Sequence, residues 1–255
     1  MEVLVCVKRV ADVGARIALT PDGQEIETKQ LGFTLSPHEE CAVEEAVRTV
    51  EQHGGSVTVL TLGPPEAADQ LRDAIAMGAN EGLLLATDGR EWGPVATAAA
   101  IVEAIRRRQS AKGGFDLLLF GNEAADTGDY QVGIRVAHLL GLPVVTGVKA
   151  LEVGDGGAVA RREYQGMEER FEIPLPAVIT VKEGINLPRY PSLPGRIRAK
   201  KASIVSWEPA FRPDGLTRQL LRLPATKRRQ AEVLGHGPGA VPALVDLLER
   251  LGLLS

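Results

Sequence analysis

The chain has 255 residues, of which 44% are hydrophobic, and its 29 basic and 33 acidic residues give a net charge of −4. This balance argues against a nucleic-acid-binding protein, and the length and hydrophobic content suffice for one large α/β domain. The two cysteines, Cys6 and Cys41, stand in apolar surroundings with no CxxC or Cys/His cluster, so we expect no metal site and a reducing compartment.

The N-terminus starts with a strand-like run, residues 2–7, and has neither the basic segment nor the cleavage site of a signal peptide. No apolar stretch reaches the ~18–20 residues that a membrane-spanning helix needs. We therefore expect a cytoplasmic protein that is not inserted into a membrane.

Four short runs, apolar almost throughout, predict the central strands of a parallel sheet. They are residues 3–7, 57–62, 82–86 and 117–120. Helical periodicity fills the intervals between and after them, at residues 37–52, 66–77, 94–108 and 130–140. The alternation predicts an α/β fold with a doubly wound, mainly parallel sheet, in which ligands bind beyond the carboxyl ends of the strands.

The connection after the fourth strand, residues 121–133, is rich in glycine and small residues and leads into a predicted helix. Such a loop can present backbone N–H groups and a helix N-terminus to an anion, usually phosphate. Two interpretations are open: a nucleotide-binding loop, or a long connection with an aspartate that caps the helix. Because Asp126 and Asp129 would both repel phosphate, we expect at least one of them to cap the helix or bond a ribose hydroxyl. The spacing matches neither a P-loop nor a Rossmann fingerprint.

The first predicted helix opens with Ser36-Pro37-His38-Glu39, the pattern of a capping box with proline at the first helical position. Capping explains every residue of this motif except His38. The helix N-terminus is nevertheless expected at the same edge of the sheet, where a cap and a ligand site can coexist. We expect no catalytic residue, because no Ser/His/Asp or Cys/His arrangement stands out.

The pattern changes after residue 145. Residues 147–164 and 168–182 predict β segments of a hairpin region, with turns at 154–157 and at Gln165-Gly166.

A poorly patterned arm over residues 205–238 precedes a final amphipathic helix at about 239–251, which we expect to dock on a partner or back on the domain. We divide the chain into a nucleotide-binding α/β domain, 1–205, and a C-terminal arm, 206–255.

Between these parts, residues 186–195 carry proline at every third position, which favours an extended, polyproline-like course. Leu193 is flanked by residues too small or too stiff to bury it. A basic cluster follows, formed by Arg196, Arg198, Lys200 and Lys201. An exposed leucine beside such a cluster predicts a docking loop, 184–201, for an acidic partner. A rigid surface loop followed by a solvated helix end is the equal alternative.

Together these segments resemble the beta subunit of the electron transfer flavoproteins, from about residue 2 to residue 205 and more weakly in the last helix. The motifs that carry the resemblance are residues 5–10, 36–39 with 42–46, 72–79, 121–133, 175–181, and 188–194 with Lys200-Lys201.

The resemblance implies a fold of the adenine nucleotide alpha hydrolase type and a heterodimer with a larger alpha subunit that holds most of a redox FAD. It also implies an AMP with a structural role in this chain. The implied contacts are Cys6, Ser36, Pro37, His38, Glu39, Leu62, Gly121, Asn122, Glu123, Ala124, Ala125, Asp126, Thr127, Gly128, Asp129, Tyr130, Gln131 and Val132.

The implied function is to carry electrons on FAD from acyl-CoA and other dehydrogenases of fatty acid oxidation to a quinone oxidoreductase. Leu193, next to Pro194, matches the family's anchor that inserts into an acyl-CoA dehydrogenase. Glu163 matches an acidic residue that steadies the flavin domain of the alpha subunit. The arm 206–255 would pack on that subunit.

The sequence departs from the family at three positions near these sites. Many relatives have Asn at position 36 and Phe at position 38, and Val13 replaces an aromatic residue near the flavin, so Val13 and His38 would form a different flavin wall. The loop 126–133 also resembles the electron-bifurcating branch, in which a second FAD occupies the AMP site. A stand-alone adenine-nucleotide-binding module of the same fold is the remaining alternative.

Overall fold

A computed structural model describes residues 1–12, 14–154, 156–213, 215, 218–224 and 231–254. Its strands are β1 Glu2–Val7, β2 Val10–Ala11, β3 Phe33–Thr34, β4 Ser56–Gly63, β5 Glu81–Ala86, β6 Leu117–Gly121, β7 Val144–Val148, β8 Ala150–Gly154, β9 Gly157–Tyr164, β10 Met167–Pro174, β11 Ala177–Val181 and β12 Ile204–Trp207. Its α-helices are α1 Pro37–His53, α2 Ala68–Met77, α3 Pro94–Lys112, α4 Val132–Leu140, α5 Leu193–Lys201 and α6 Val241–Arg250.

Seven strands form one parallel sheet in the order β12-β5-β4-β1-β6-β11-β7. The central strand β1 is apolar on both faces, and Val3, Leu4 and Val5 are fully buried. From β1 the chain moves outward through β4 to β5 and then returns to β6 on the other side of β1. The strand order therefore reverses between β1 and β6, and such a reversal opens a crevice at the carboxyl edge of the sheet.

Helices cover both faces of this sheet. Val3, Val5 and Val7 of β1 belong to a core that includes residues of α1, α2 and α5. Leu4 and Cys6 belong to the opposite core, which includes residues of α3 and α4. The predicted α/β class, with its doubly wound parallel sheet, is confirmed, and so are the four predicted strands and the four predicted helices, with α3 extending to Lys112.

The predicted hairpin region is present as a three-stranded antiparallel sheet in the order β10-β9-β8. One part of the prediction is corrected, because β11 does not belong to this small sheet. Its residues are all buried, and it pairs in parallel between β6 and β7. The run 168–182 therefore contributes to both sheets.

The proline-spaced segment also differs from the sequence expectation. The part before Leu193 contains no helix or strand, and an extended Ser192 then caps a helix that has Pro194 in its first turn, where proline is tolerated. After this helix, β12 pairs with β5 and adds an edge strand that ends at Trp207, two residues beyond the predicted domain boundary.

The arm that follows lies in part against the domain. Phe211 packs edge-on against Trp92, with ring centroids 5.2 Å apart, and the Leu221 N–H donates to the Gly23 carbonyl at 2.8 Å. Positions 214, 216–217 and 225–230 of the arm lie outside the described residues. The predicted final helix is confirmed as α6, and none of its side chains is buried. In the described part of the chain, no helix is long and apolar enough to cross a membrane.

Candidate functional site

The crevice between β1 and β6 brings together three of the segments that the sequence singles out. Cys6 pairs with Leu60 of β4 on one side and with Phe120 of β6 on the other. The carboxyl ends of β1, β4 and β6 are thus neighbours, and α1 and α4 begin beside them. Leu62, near the end of β4, is half-buried against the core under α3.

The start of α1 is a closed capping box. The Glu39 N–H donates to Ser36 Oγ at 3.3 Å, and the Ser36 N–H donates to Glu39 Oε2 at 3.0 Å. The second oxygen of Glu39 accepts from the Lys8 N–H at 2.8 Å, so this carboxylate also ties the end of β1 to the start of α1. Both side chains are buried, and their oxygens are engaged within the chain. A ligand could therefore meet the backbone here but not these side chains.

Burial raises the pKa of Glu39 to about 7 from its ordinary value of 4.5, although the hydrogen bonds from Ser36 and Lys8 favour the charged form. Between about pH 4.5 and pH 7, the folded protein therefore binds more protons at this site than the unfolded chain does. The resulting stabilisation is complete below about pH 4.5 and is lost as the pH rises through about 7.

We predict that Glu39→Gln removes this dependence, because the amide has nearly the same shape and does not titrate. Between pH 5 and pH 8 the wild-type protein should lose up to about 3 kcal/mol more free energy of unfolding than the variant does. Glutamine will add a pH-independent cost, since its NH2 group must face one of the two backbone donors. Urea denaturation at both pH values measures the difference, and equal losses in the two proteins would contradict the assignment.

The loop after β6 is folded on itself by backbone hydrogen bonds. The Ala124 N–H donates to the Asp129 carbonyl at 2.9 Å, and the Gly128 N–H donates to the Ala124 carbonyl at 2.8 Å. At its start, Asn122 Oδ1 accepts from the Thr180 hydroxyl at 2.8 Å. Residues 125–128 and Tyr130 are exposed, so the outer part of the loop is accessible to a ligand.

The aspartates of this loop do not cap α4, so of the two expected roles the helix cap is wrong, and a bond to a ribose hydroxyl stays a prediction. Asp126 accepts from Lys8 Nζ and from the Thr127 N–H, at 2.7 and 2.9 Å. Asp129 accepts from the Gln131 side chain at 3.3 Å. The N-cap of α4 is Gln131, which makes no side-chain capping bond, and the first backbone N–H groups of this helix therefore lack the usual side-chain acceptor.

Sequence reasoning assigned no role to Lys8. Its position directly after β1, at the reversal of strand order, is the signal that could have revealed one. Here the ammonium group neutralises Asp126, so the loop presents less negative charge to a phosphate than its composition indicates. Thr180 was also missed. Its hydroxyl accepts from the Gly147 N–H at 3.0 Å and donates to Asn122, which fixes the base of the loop.

His38 lies at the rim of the crevice, and one of its ring nitrogens makes a hydrogen bond. Nδ1 accepts from the Glu183 N–H at 2.9 Å, and Nε2 lies 3.6 Å from Glu123 Oε1. Glu123 also accepts a hydrogen bond from the Tyr130 hydroxyl. The other predicted flavin-wall residue, Val13, lies outside the described residues. The part of the chain that the structure describes contains no group of His, Cys, Asp and Glu suited to a metal ion.

Two donor groups at this edge of the sheet are of the kind that hold phosphate oxygens. They are the N-terminus of α4, which has no side-chain cap, and the Lys8 ammonium, which a phosphate would share with Asp126. Cys6 is buried, which raises the pKa of its thiol, so this side chain can offer a ligand only a neutral contact.

The predicted docking residues lie apart from the crevice, on α5. Gly195 packs against the C-terminal end of α2, where a Cβ atom would lie 2.5 Å from the Ala76 carbonyl oxygen. Arg198 donates to the Ile75 carbonyl at 2.8 Å and so caps α2. Leu193 is 72% exposed on the other side of the helix. The other predicted docking residues of this helix are exposed with it: Pro194, Arg196, Arg198, Lys200 and Lys201.

Glu163 is in a third place, near the end of β9 in the small sheet. It is exposed, and its cross-strand partner is the exposed Glu168. Like charges in directly opposed positions destabilise a strand pair, and both of these carboxylates are exposed to solvent.

Comparisons with known proteins identify the family of the chain. The chain matches the electron transfer flavoprotein domain family over residues 25–211. It is 34% identical over 210 residues to the electron transfer flavoprotein subunit beta of Bacillus subtilis (strain 168), a match that covers 82% of this chain and 79% of the relative. It is 38% identical over 207 residues to the same subunit of Syntrophomonas wolfei subsp. wolfei, which covers 81% and 79%.

A further relative, subunit CarD of the caffeyl-CoA reductase-Etf complex of Acetobacterium woodii, is 33% identical over 212 residues, which cover 81% of this chain and 74% of the relative. Both the domain match and the relatives extend over most of the chain, and on this ground the chain belongs to the electron transfer flavoprotein beta subunit family.

Proposed function

We propose that this chain is the small subunit of a cytoplasmic electron carrier and that it binds AMP at the crevice between β1 and β6. A larger alpha subunit would hold most of a FAD, with His38 and Val13 on the side of this chain. When bound, the FAD would accept electrons from acyl-CoA and related dehydrogenases and pass them to a quinone oxidoreductase. The side chains of this chain bind, position and dock, and we assign none of them to proton transfer.

The observation that carries the proposal is that Leu193 is exposed on a helix that is fixed to the domain. Leu193 is 72% exposed, although the contacts of Gly195 and Arg198 hold α5 against α2. Exposed Tyr190 and Ile197 stand within four residues of it, and exposed apolar side chains that are grouped in this way mark an interaction site. The surrounding basic side chains would attract an acidic partner surface and guide the encounter.

We predict that Leu193→Ala slows electron uptake from an acyl-CoA dehydrogenase and leaves the flavin bound. The KM for the carrier should rise roughly tenfold, because truncating a central apolar anchor typically costs an interface about 1–2 kcal/mol. The measurement is the steady-state reduction of the complete complex by an acyl-CoA dehydrogenase with its substrate. Leu139→Ala, which shortens a leucine exposed on α4, is the matched control. A normal KM for Leu193→Ala would remove the docking assignment.

A bifurcating carrier with a second FAD in place of AMP is the second candidate. Two observations favour it: the loop 126–133 resembles that branch, and one relative belongs to a caffeyl-CoA reductase complex. Since FAD contains AMP, the same crevice could hold either ligand.

Denaturing the pure complex and counting the released nucleotides separates these functions. One FAD with one AMP supports the carrier, and two FAD support bifurcation. A stand-alone nucleotide-binding module would instead stay colourless and unpaired when produced together with the large subunit.

A further inference from the structure

The segment that leads to the docking helix lies along α1 and is bonded to it at regular intervals. The Glu183 N–H donates to His38 Nδ1 at 2.9 Å, and the Asn186 side chain donates to the Cys41 carbonyl at 2.9 Å. The Arg189 side chain then reaches Glu44. Residues three apart on the segment thus meet residues three apart on the helix, and the segment runs along α1 from the start of the helix at the crevice.

Of these three contacts, the one between Arg189 and Glu44 has the most hydrogen bonds. The Glu44 side chain is almost fully buried, and its two oxygens accept from the Arg189 N–H, Nε and Nη2 at 3.1, 2.8 and 3.2 Å and from Arg48 Nε at 2.6 Å. Burial alone would favour the neutral acid, but the hydrogen bonds from Arg189 and Arg48 hold the pKa of this carboxyl below its ordinary value. A buried carboxylate without such partners is costly, so the contact strongly favours one placement of Arg189.

All three nitrogens of the Arg189 guanidinium donate to carboxylates within the chain, and these bonds use four of its five N–H groups. Its outer nitrogens Nη1 and Nη2 also donate to Glu51, at 2.7 and 3.0 Å. The neighbouring side chains behave differently, since Leu187 and Tyr190 are 84% and 85% exposed. Arg189 therefore acts inside the chain, at the point where the segment leaves α1 for the docking helix.

Leu193 lies between two fixed points. Arg189 fixes the chain four residues before it, and Gly195 and Arg198 fix α5 to α2 after it. Pro191 further restricts the residues between these points. A binding element that is already ordered loses little conformational entropy when it docks.

We infer that Arg189 is a positioning residue for partner docking, which holds the chain so that Leu193 projects in its binding position. The inference rests on the proposed docking role of Leu193. The Arg189–Glu44 pair would thus affect the affinity for a dehydrogenase without contacting that dehydrogenase.

A double-mutant cycle on the complete complex tests this inference, with an acyl-CoA dehydrogenase and its substrate as the electron donor. Arg189→Ala should raise the KM for the carrier several-fold, to about the level of Leu193→Ala, with less than about a twofold change in kcat. The contents of FAD and adenine nucleotide should stay unchanged. In the Leu193→Ala background, Arg189→Ala should add less than about twofold, because a positioning residue has nothing left to position.

The alternatives give different patterns. Additive effects would mean that Arg189 acts independently of Leu193, and an unchanged KM for Arg189→Ala would mean that the pair does not position the loop; either result overturns the inference. If Leu193→Ala alone left the KM unchanged, the docking role itself would fail, and the inference with it.

Two further variants keep the test decisive if Arg189→Ala does not fold. Arg189→Lys keeps the charge but loses the forked contact to two carboxylates, so its KM should lie between those of the wild type and the alanine variant. Glu44→Gln with Arg189→Gln removes both charges together and avoids a buried unpaired carboxylate, yet should still raise the KM. If both of these variants had the KM of the wild-type protein, the inference would be overturned.

Hydrogen exchange supplies a readout that does not depend on electron transfer. Amides in residues 187–193 should exchange faster in Arg189→Ala than in the wild type. Lys112→Ala is the control, because it breaks an exposed ion pair with Glu81 at a distance of 2.9 Å on α3. It should change neither the exchange of this segment nor the KM.

Discussion

Replacing Leu244 and Leu251 together by glutamate is expected to abolish association of this chain with the large subunit. Leu244 lies on α6 and Leu251 is the C-cap residue directly after it; they are 46% and 62% exposed, and no side chain of α6 is buried against its own domain. We propose that the alpha subunit covers both leucines. Losing two buried leucines forfeits about 1.5–3 kcal/mol each, and two charges placed in the interface add a desolvation cost, so affinity should fall at least about a thousandfold.

The measurement is co-purification of the two subunits followed by size-exclusion chromatography. The control is Glu249→Lys, which changes a charge on the same helix at an exposed position and leaves its apolar residues intact. The control should give a yellow heterodimer and the double variant a colourless single chain that keeps its secondary structure. A double variant that still co-purifies with bound flavin would show that α6 is not the contact.

The fold was predictable where local sequence and tertiary structure agree. The start of α1 illustrates this, because Ser36, Pro37 and Glu39 specify a capping box by their identity and spacing alone. The four apolar runs likewise specify buried strands, since only a sheet covered on both faces buries such runs.

Elements that depend on distant residues were not predictable in the same way. The sequence of β11 shows a strand but not its neighbours, and its place between β6 and β7 follows from pairing across long stretches of chain. In α5, proline spacing favoured an extended chain, whereas the cap at Ser192 and the close approach of Gly195 to α2 produce a helix.

Some features of the candidate site could likewise be predicted from the sequence, and others could not. That the loop after β6 lies at the carboxyl edge follows from the strand–helix alternation. The pairing of Lys8 with Asp126 could not be predicted, because the two residues are 118 positions apart and each side chain alone suggests a solvated charge. The contact of Glu44 with Arg189, 145 residues away, is hidden for the same reason.

Replacing Gly121 by valine is expected to remove the adenine nucleotide from the complex. Gly121 ends β6 where the crevice narrows, and a Cβ atom there would lie 2.8 Å from Glu39 Cγ and 3.4 Å from His38 Cβ. Glu39 cannot move aside easily, because its carboxylate is held by the Ser36 and Lys8 N–H groups. The valine must therefore push the start of α1 away from β6, which changes the shape of the crevice.

Such overpacking typically costs about 1–3 kcal/mol of stability, so the complex should still fold, but the donors that would surround the phosphate should no longer converge. Gly154→Val is the matched control, because a Cβ atom at that glycine would meet no atom of the described residues within 4 Å. Chromatography of the nucleotides released by denaturation should show a full complement from the control and little or none from Gly121→Val. A full complement from both variants would place the nucleotide outside this crevice, since no adenylate held between the ends of β1 and β6 could tolerate the displacement of α1.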